Sequence, residues 1–188
     1  MRGSEHWREP VPGRRRFIAA LGGAAGAWLL DRAAPAAAQP SVERSLSFYN
    51  LHTGESVRAA YWADGAYQTD ALTAIDRVLR DYRTGEVRSM DRRLLDLLHA
   101  LRLDLGTSAA FHVISGYRSP ATNAMLRQQG HAVASHSLHM EGKASDVRLP
   151  GVDLDTLHRA AVARRAGGVG YYLGPQFVHV DVGPVRYW

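Results

Sequence analysis

The groups able to do metal or acid–base chemistry crowd into the last third of the chain. The stretch SHSLHMEGKASD, from Ser135 to Asp146, offers His136, His139 and Asp146 where a polar loop passes into an apolar strand. Phe177-Val178-His179-Val180-Asp181 comes later. Alternate residues of a strand share a face, so Phe177, His179 and Asp181 point one way and Val178, Val180 and Val182 the other. An all-valine face belongs to a core, and the His/Asp face opposite it is then expected to line a site. Two imidazoles and one carboxylate make three nitrogen and oxygen ligands, the set that leaves a fourth zinc position open for water. Such a complex carries a net charge of about +1, which lowers the pKa of bound water to about 7. The chain has no cysteine, which excludes thiolate zinc sites, cysteine nucleophiles and iron–sulfur clusters and leaves His, Asp and Glu as the metal ligands on offer. His99, His112 and His158 fall within periodic segments and read as structural, His131 reads as solvent-exposed in a polar loop, and His6 lies near the N-terminus.

The elements that must position these groups follow from periodicity. Ser45 to Thr53 and Val57 to Trp62 are β-rich runs around Gly54-Glu55, which predicts a hairpin. Leu72, Ile75, Leu79 and Tyr82 predict a helix capped by Thr69 and ending at Gly85. A second starts at Ser89 or Asp91, carries Leu94, Leu95, Leu98, Leu101 and Leu105 on one stripe, and stops at Gly106. Phe111 to Ser115 predicts a strand, and Ser119-Pro120 opens a third helix that runs to about Gln129. After a loop from Gly130 to Glu141 come a strand from Ala144 to Leu149, a helix from Leu154 to Arg165 closed by Gly167-Gly168, and paired strands from Val169 to Leu173 and Phe177 to Val182. Helices come early, paired strands late, and no βαβ rhythm appears. The expected class is α+β, a small central antiparallel sheet with helices packed on it.

Composition bounds the rest. With 188 residues, 46% hydrophobic and 22% charged, one compact domain can bury its own core. The net charge of +5 is uneven, because residues 1–38 carry six Arg against Glu5, Glu9 and Asp31. Lys143 is the only lysine, and the Arg elsewhere are interleaved with Asp and Glu, so no stripe tracks a phosphate backbone and no nucleic-acid partner is expected. Arg14-Arg15-Arg16-Phe17-Ile18 sets a twin arginine before an apolar run that ends at Leu30, too short for the roughly 20 residues of a bilayer-spanning helix. The segment resembles a twin-arginine (Tat) export signal. Pro35-Ala36-Ala37-Ala38 supplies the small residues that a signal peptidase reads. The expectation is a signal peptide over residues 1–38 that engages the Tat export machinery, and a monomeric domain over 39–188 in the periplasm.

Ser137-Leu-His139-Met-Glu-Gly142-Lys-Ala144-Ser-Asp146 resembles the SxHxxGxAxD signature of the zinc peptidases that group lysostaphin, the D-Ala-D-Ala metallopeptidases and sonic hedgehog, and Phe177-Val-His179 looks like their second metal strand. Asn50-Leu-His-Thr-Gly-Glu-Ser56, Ile114-Ser-Gly-Tyr-Arg-Ser119, Arg165 to Tyr172 and Gly183-Pro-Val-Arg-Tyr-Trp188 are similar to the Tat-exported periplasmic murein endopeptidases of enterobacteria. The resemblance implies a hedgehog/D-Ala-D-Ala-peptidase-like fold, one zinc held by His139, Asp146 and His179, and hydrolysis of peptidoglycan crosslinks. Arg118 resembles the arginine that relatives aim at the substrate carbonyl, where it would stabilise an oxyanion. Tyr117 beside it and Ser137 are the substrate-binding candidates, Ser137 equally able to cap local backbone. Gly142 and Ala144 let the chain pass close beneath the metal, and His136 is the rival ligand to His139. His52 lies in a shared motif without an assigned role. Where dipeptidase relatives place a glutamate base, three residues before the last ligand, this chain has Gln176, which cannot take a proton. Asp181 is the replacement candidate for catalysis, or else a support for His179 or an ion-pair partner of Arg186. The expected activity is that of a zinc-dependent murein endopeptidase. A D,D- or L,D-carboxypeptidase or dipeptidase acting on stem peptides, and a non-catalytic peptidoglycan-binding module, are the alternatives.

Overall fold

The computed structural model describes residues 43–131 and 133–188, so the expected signal peptide and its cleavage site lie outside the described residues. The expected hairpin is β1 (Arg44–Asn50) and β2 (Ser56–Ala63), with a short β3 (Ala66–Tyr67) folded back on β2. Two helices follow, α1 (Thr69–Val78) and α2 (Arg92–Asp104). The periodicity carries α1 on to Gly85, but the helix stops at Val78 and its N-cap is Gln68 rather than Thr69. Asp81 accounts for the early stop. Its carboxylate accepts the Arg83 and Thr84 amides, and its own amide donates to the Glu86 carbonyl, so the backbone closes a turn instead of a further helical turn. The second helix does begin at Asp91, whose carboxylate accepts the Arg93 amide at 2.9 Å.

The chain continues through β4 (Phe111–Ser115), α3 (Pro120–Gln128), a 3₁₀ turn (Leu138–Glu141), β5 (Ala144–Arg148), α4 (Leu154–Arg164), β6 (Gly168–Tyr172), β7 (Phe177–Asp181) and β8 (Arg186–Tyr187). All eight strands form one sheet in the order β3-β2-β1-β4-β5-β7-β6-β8. The α+β class stands, with a larger sheet than the small antiparallel one expected. Strand β1 joins β4 in parallel because α1 and α2 intervene and return the chain to the same end of the sheet. Strand β8, too short to show a period, joins β6 in parallel at the edge.

One face of the sheet makes the core. Leu46, Phe48, Phe111, Val113, Val147, Val178 and Val180 pack with Ile75, Leu157 and the α2 stripe of Leu94, Leu95, Leu98 and Leu101, each 1% exposed or less. Each such side chain contributes ~1.5–3 kcal/mol by leaving water, so a one-residue slip of β5 or β7 is strongly disfavoured. The opposite face is thereby fixed as well. In the pairing of β4 with β5 the register shifts between Val113 and Ser115, so Val113 faces Val147 and Ser115 faces Asp146. This bulge turns Ser115 onto the face of Asp146. Ser115, Asp146, His179 and Gly170 then lie in a single row across β4, β5, β7 and β6.

Candidate metal centre

The 3₁₀ turn hangs His139 over that row. Ser137 opens the turn, its hydroxyl accepting the His139 amide at 3.3 Å. Gly142 closes it at φ 69°, where a Cβ would stand 2.5 Å from the Ser89 carbonyl oxygen, so only glycine fits there. His139 Nε2 comes to 3.2 Å from His179 Nδ1 and 3.3 Å from Asp146 Oδ1, and His179 Nδ1 to 2.8 Å from Asp146 Oδ1. Ligands at zinc distances from a tetrahedral ion lie about 3.3–3.4 Å from one another. Two of the three separations match and the third is short, so the donor set fits such an ion with small adjustments. His136, the rival, is exposed where it lines the cleft and bonds Ser135 rather than the ligand carboxylate Asp146.

Both imidazoles are held from behind. His139 Nδ1–H donates to the Gly116 carbonyl at 2.7 Å and His179 Nε2–H to Asp181 Oδ2 at 3.1 Å, tautomers assigned from these partners. Each bond leaves the other ring nitrogen's lone pair aimed at the centre. Burial opposes ionisation of Asp146, but the adjacent His139 and His179 outweigh it and hold the carboxyl well below the usual range. Burial likewise disfavours the charged His179, yet its bonds to Asp146 and Asp181 raise it to about 8.

Asp181 sits behind the His179 ring and does not line the cleft. Its Oδ1 accepts the Gly168 and Gly183 amides at 2.8 Å each, and its Oδ2 accepts Arg186 Nη2 at 2.6 Å in addition to His179. The residue has no solvent exposure. Burial alone would raise its pKa, and the bonds from His179, Gly168 and Gly183 lower it to about 2. A Cβ at Gly168 would stand 2.5 Å from Asp181 Oδ2, so that glycine makes room for the carboxylate.

A cleft of 570 Å³ opens over the three donors. Tyr172 and Phe177, stacked with centroids 4.5 Å apart, line it together with Trp188, His131, Val133 and Ser137. The Trp188 ring lies 5.2 Å from that of His179, and its Nε1–H donates to the Tyr172 hydroxyl at 2.8 Å. Arg118 lines the floor, 8% exposed, with Nη2 3.8 Å from Asp146 Oδ2; burial lowers its pKa from the ordinary arginine value. One expectation changes. Tyr117 is 6% exposed and turns its hydroxyl toward Glu86 at 3.5 Å, because the chain leaving β4 alternates Tyr117 away from Arg118, so it does not line the cleft. Gln176 is also outside it, bonding the Leu173 carbonyl and bordering a separate hollow beside His112 and Arg148. The Arg186–Asp181 pair is one of the roles the sequence offered Asp181, whereas Tyr172 and Trp188 were not expected as site components. Both lie in the shared motifs from Arg165 to Tyr172 and Gly183 to Trp188, and the glycine run Gly167-Gly168-Val169-Gly170, which periodicity reads only as a helix stop, makes room for one of them: at Gly170 a Cβ would stand 2.6 Å from the Trp188 ring.

A His–Asp–His set converging on the floor of a cleft, two donors on paired strands of an α+β sheet and the third on a 3₁₀ turn, is an arrangement that suits a metallopeptidase. Residues 37–188 match the family model Peptidase_M15_2, described as peptidoglycan L,D-endopeptidase MepK, and the chain belongs to that family of M15 peptidases. It is 42% identical over 175 residues to the peptidoglycan L,D-endopeptidase MepK of Escherichia coli strain K12, covering 93% of this chain and 96% of that one. To the probable peptidoglycan L,D-endopeptidase MepK of Haemophilus influenzae it is 38% identical over 176 residues, covering 93% and 95%.

Proposed function

We propose that this chain is a zinc-dependent murein endopeptidase that hydrolyses L,D peptide crosslinks of peptidoglycan. The observation that carries the reading is the convergence of His139 Nε2, Asp146 Oδ1 and His179 Nδ1 at the floor of a cleft; family membership and the relatives' names support the substrate. One zinc ion per chain is held by these three residues. When bound, it supplies Lewis-acid activation of the attacking water and the scissile carbonyl.

The protein's own groups do the rest. Gly116 and Asp181 fix the two imidazoles in the ligating tautomer. Asp181, its oxygens occupied and facing away from the cleft, is read as the residue that positions His179 rather than as the proton acceptor. Arg186, which lines the cleft, neutralises Asp181 at the same Oδ2 that holds His179. Arg118 is the oxyanion donor: its nearly buried guanidinium stands beside Asp146, where water competes little for its N–H groups as the carbonyl oxygen gains charge. Ser137 is read as the cap of the 3₁₀ turn and part of the cleft wall. Residues 1–38 are read as a Tat signal and 39–188 as a monomeric periplasmic enzyme, a division supported by the family match that begins at residue 37.

The test is digestion of purified sacculi that contain both crosslink types, with the fragments weighed by mass spectrometry. The reading expects L,D-crosslinked dimers to disappear into monomers while D,D-crosslinked dimers persist. Loss of terminal residues without new monomers would make the protein a carboxypeptidase, and unchanged fragments with retained binding would make it a wall-binding module.

A further inference from the structure

The motif around His52 and the turn after α1 have no part in the chemistry described so far, yet they meet at the root of Arg118. The His52 ring stacks on Tyr82 with centroids 3.8 Å apart and planes 11° apart, and its Nε2 lies 3.1 Å from the Ile114 carbonyl oxygen in β4. Arg83 covers the Tyr82 ring at 4.3 Å, and Arg80 pairs with Glu55 at 2.6 Å. The β1–β2 turn, with Asn50 Nδ2 donating to the Val78 carbonyl, thus grips the Leu79–Glu86 loop from one side.

From the other side that loop holds the residues that follow β4. Three consecutive amides are tied down: Tyr117 N–H donates to the Leu79 carbonyl at 2.8 Å, Arg118 N–H to the His139 carbonyl at 3.1 Å, and Ser119 N–H to Asp81 Oδ2 at 2.8 Å. The approach is close enough that a Cβ on Gly116 would stand 2.4 Å from the Leu79 carbonyl oxygen. The guanidinium itself has long tethers, Nη1 to Asn123 and Nη2 to Ser115, both at 3.4 Å, and Nη2 to Asp146 Oδ2 at 3.8 Å. Its placement therefore depends on its backbone, and the backbone is held on one side by a metal ligand and on the other by Asp81.

We propose that the Leu79–Glu86 loop, clamped by His52 on Tyr82, sets the position of Arg118 for catalysis, with Asp81 as the positioning residue. The proposal rests on the reading of Arg118 as the oxyanion donor. Loss of an interaction made only in the transition state lowers kcat and leaves KM unchanged, so a misplaced Arg118 has a signature that lost stability lacks.

The experiment is a double-mutant comparison on a purified L,D-crosslinked muropeptide dimer, with kcat, KM and zinc per chain measured for Asp81→Asn, Arg118→Ala and the double variant. Arg118→Ala is expected to lose about a hundredfold in kcat. Asp81→Asn is expected to lose about tenfold, with KM and zinc content unchanged, and the double variant to be no slower than Arg118→Ala alone. A full tenfold loss on top of Arg118→Ala, or an Asp81→Asn enzyme with unaltered kcat once loaded with zinc, overturns the clamp. An Arg118→Ala enzyme of full activity overturns the oxyanion reading, and the clamp with it. If Asp81→Asn does not fold, His52→Ala, at an exposed position, carries the same comparison with the same expected pattern.

Discussion

Replacing Asp181 with Asn separates positioning from proton transfer. The carboxylate has two backbone amides on Oδ1 and the His179 and Arg186 donors on Oδ2. An amide offers one acceptor and one donor. The fixed Gly168 and Gly183 amides claim the carbonyl oxygen, which turns the new NH₂ toward His179. The ring then accepts at Nε2 and carries its proton on Nδ1, the atom that faces Asp146 and the metal position. The pKa of Asp181, moved from the ordinary 3.8 to about 2, corresponds to a preference for the charged form on the order of 2 kcal/mol in this setting. That scale agrees with the ten- to hundredfold loss of metal affinity that follows removal of such a partner. The assay is zinc titration of the metal-free protein against a competing chelator, with activity measured at each zinc concentration. The expected result is a dissociation constant ten to a hundred times larger and activity that recovers at high zinc. A variant that binds zinc as tightly as the unaltered protein while turnover stays a hundredfold down would refute the positioning argument and make Asp181 the proton acceptor.

His139→Ala and His179→Ala are each expected to empty the site and abolish activity, while His136→Ala keeps one zinc per chain by elemental analysis. In the metal-free protein the depressed Asp81 and Asp181 contribute stability that is complete above about pH 4 and lost as pH falls toward their folded values, about 2 for Asp181. His179, raised to about 8, contributes stability that is complete below about pH 6.5 and lost as pH rises through its folded value. Thermal melts of the metal-free protein should therefore show a plateau between about pH 4 and 6.5, and zinc affinity should climb with pH until it levels above about 8. Replacing Arg14 and Arg15 with Lys is expected to leave folded protein in the cytoplasm by cell fractionation, because Lys lacks the planar guanidinium; normal export would point to the general secretory route.

What could be read from the sequence was whatever burial enforces. The valines of β7 and the leucines of α2 must leave water, and that requirement alone fixes which face His179 presents. Asp81 was not legible as a helix stop, because an apolar period continues through Leu79 and Tyr82 while the decisive event is one carboxylate closing a turn on its neighbours. Asp181 shows the limit of reading by face. Strand alternation places it beside His179, but only the two glycine amides and Arg186 decide that it looks at the back of the ring. Tyr117 and Trp188 failed for a related reason: where a side chain goes after a bulge, or at a two-residue edge strand, is set by contacts far away in sequence.

The row of Ser115, Asp146, His179 and Gly170 has a consequence for how the protein would meet the proposed ion. Asp146 and His179 are direct partners in the β5–β7 ladder, so two of the three donors reach their spacing through the same backbone pairing that buries Val147, Val178 and Val180. On the proposed reading, an ion bound here would not have to organise the fold, as it does in small domains that are unfolded without metal. It would arrive at a cup already cast. Folding and loading would then be separable events, and a folded chain could take up or exchange an ion without opening its sheet.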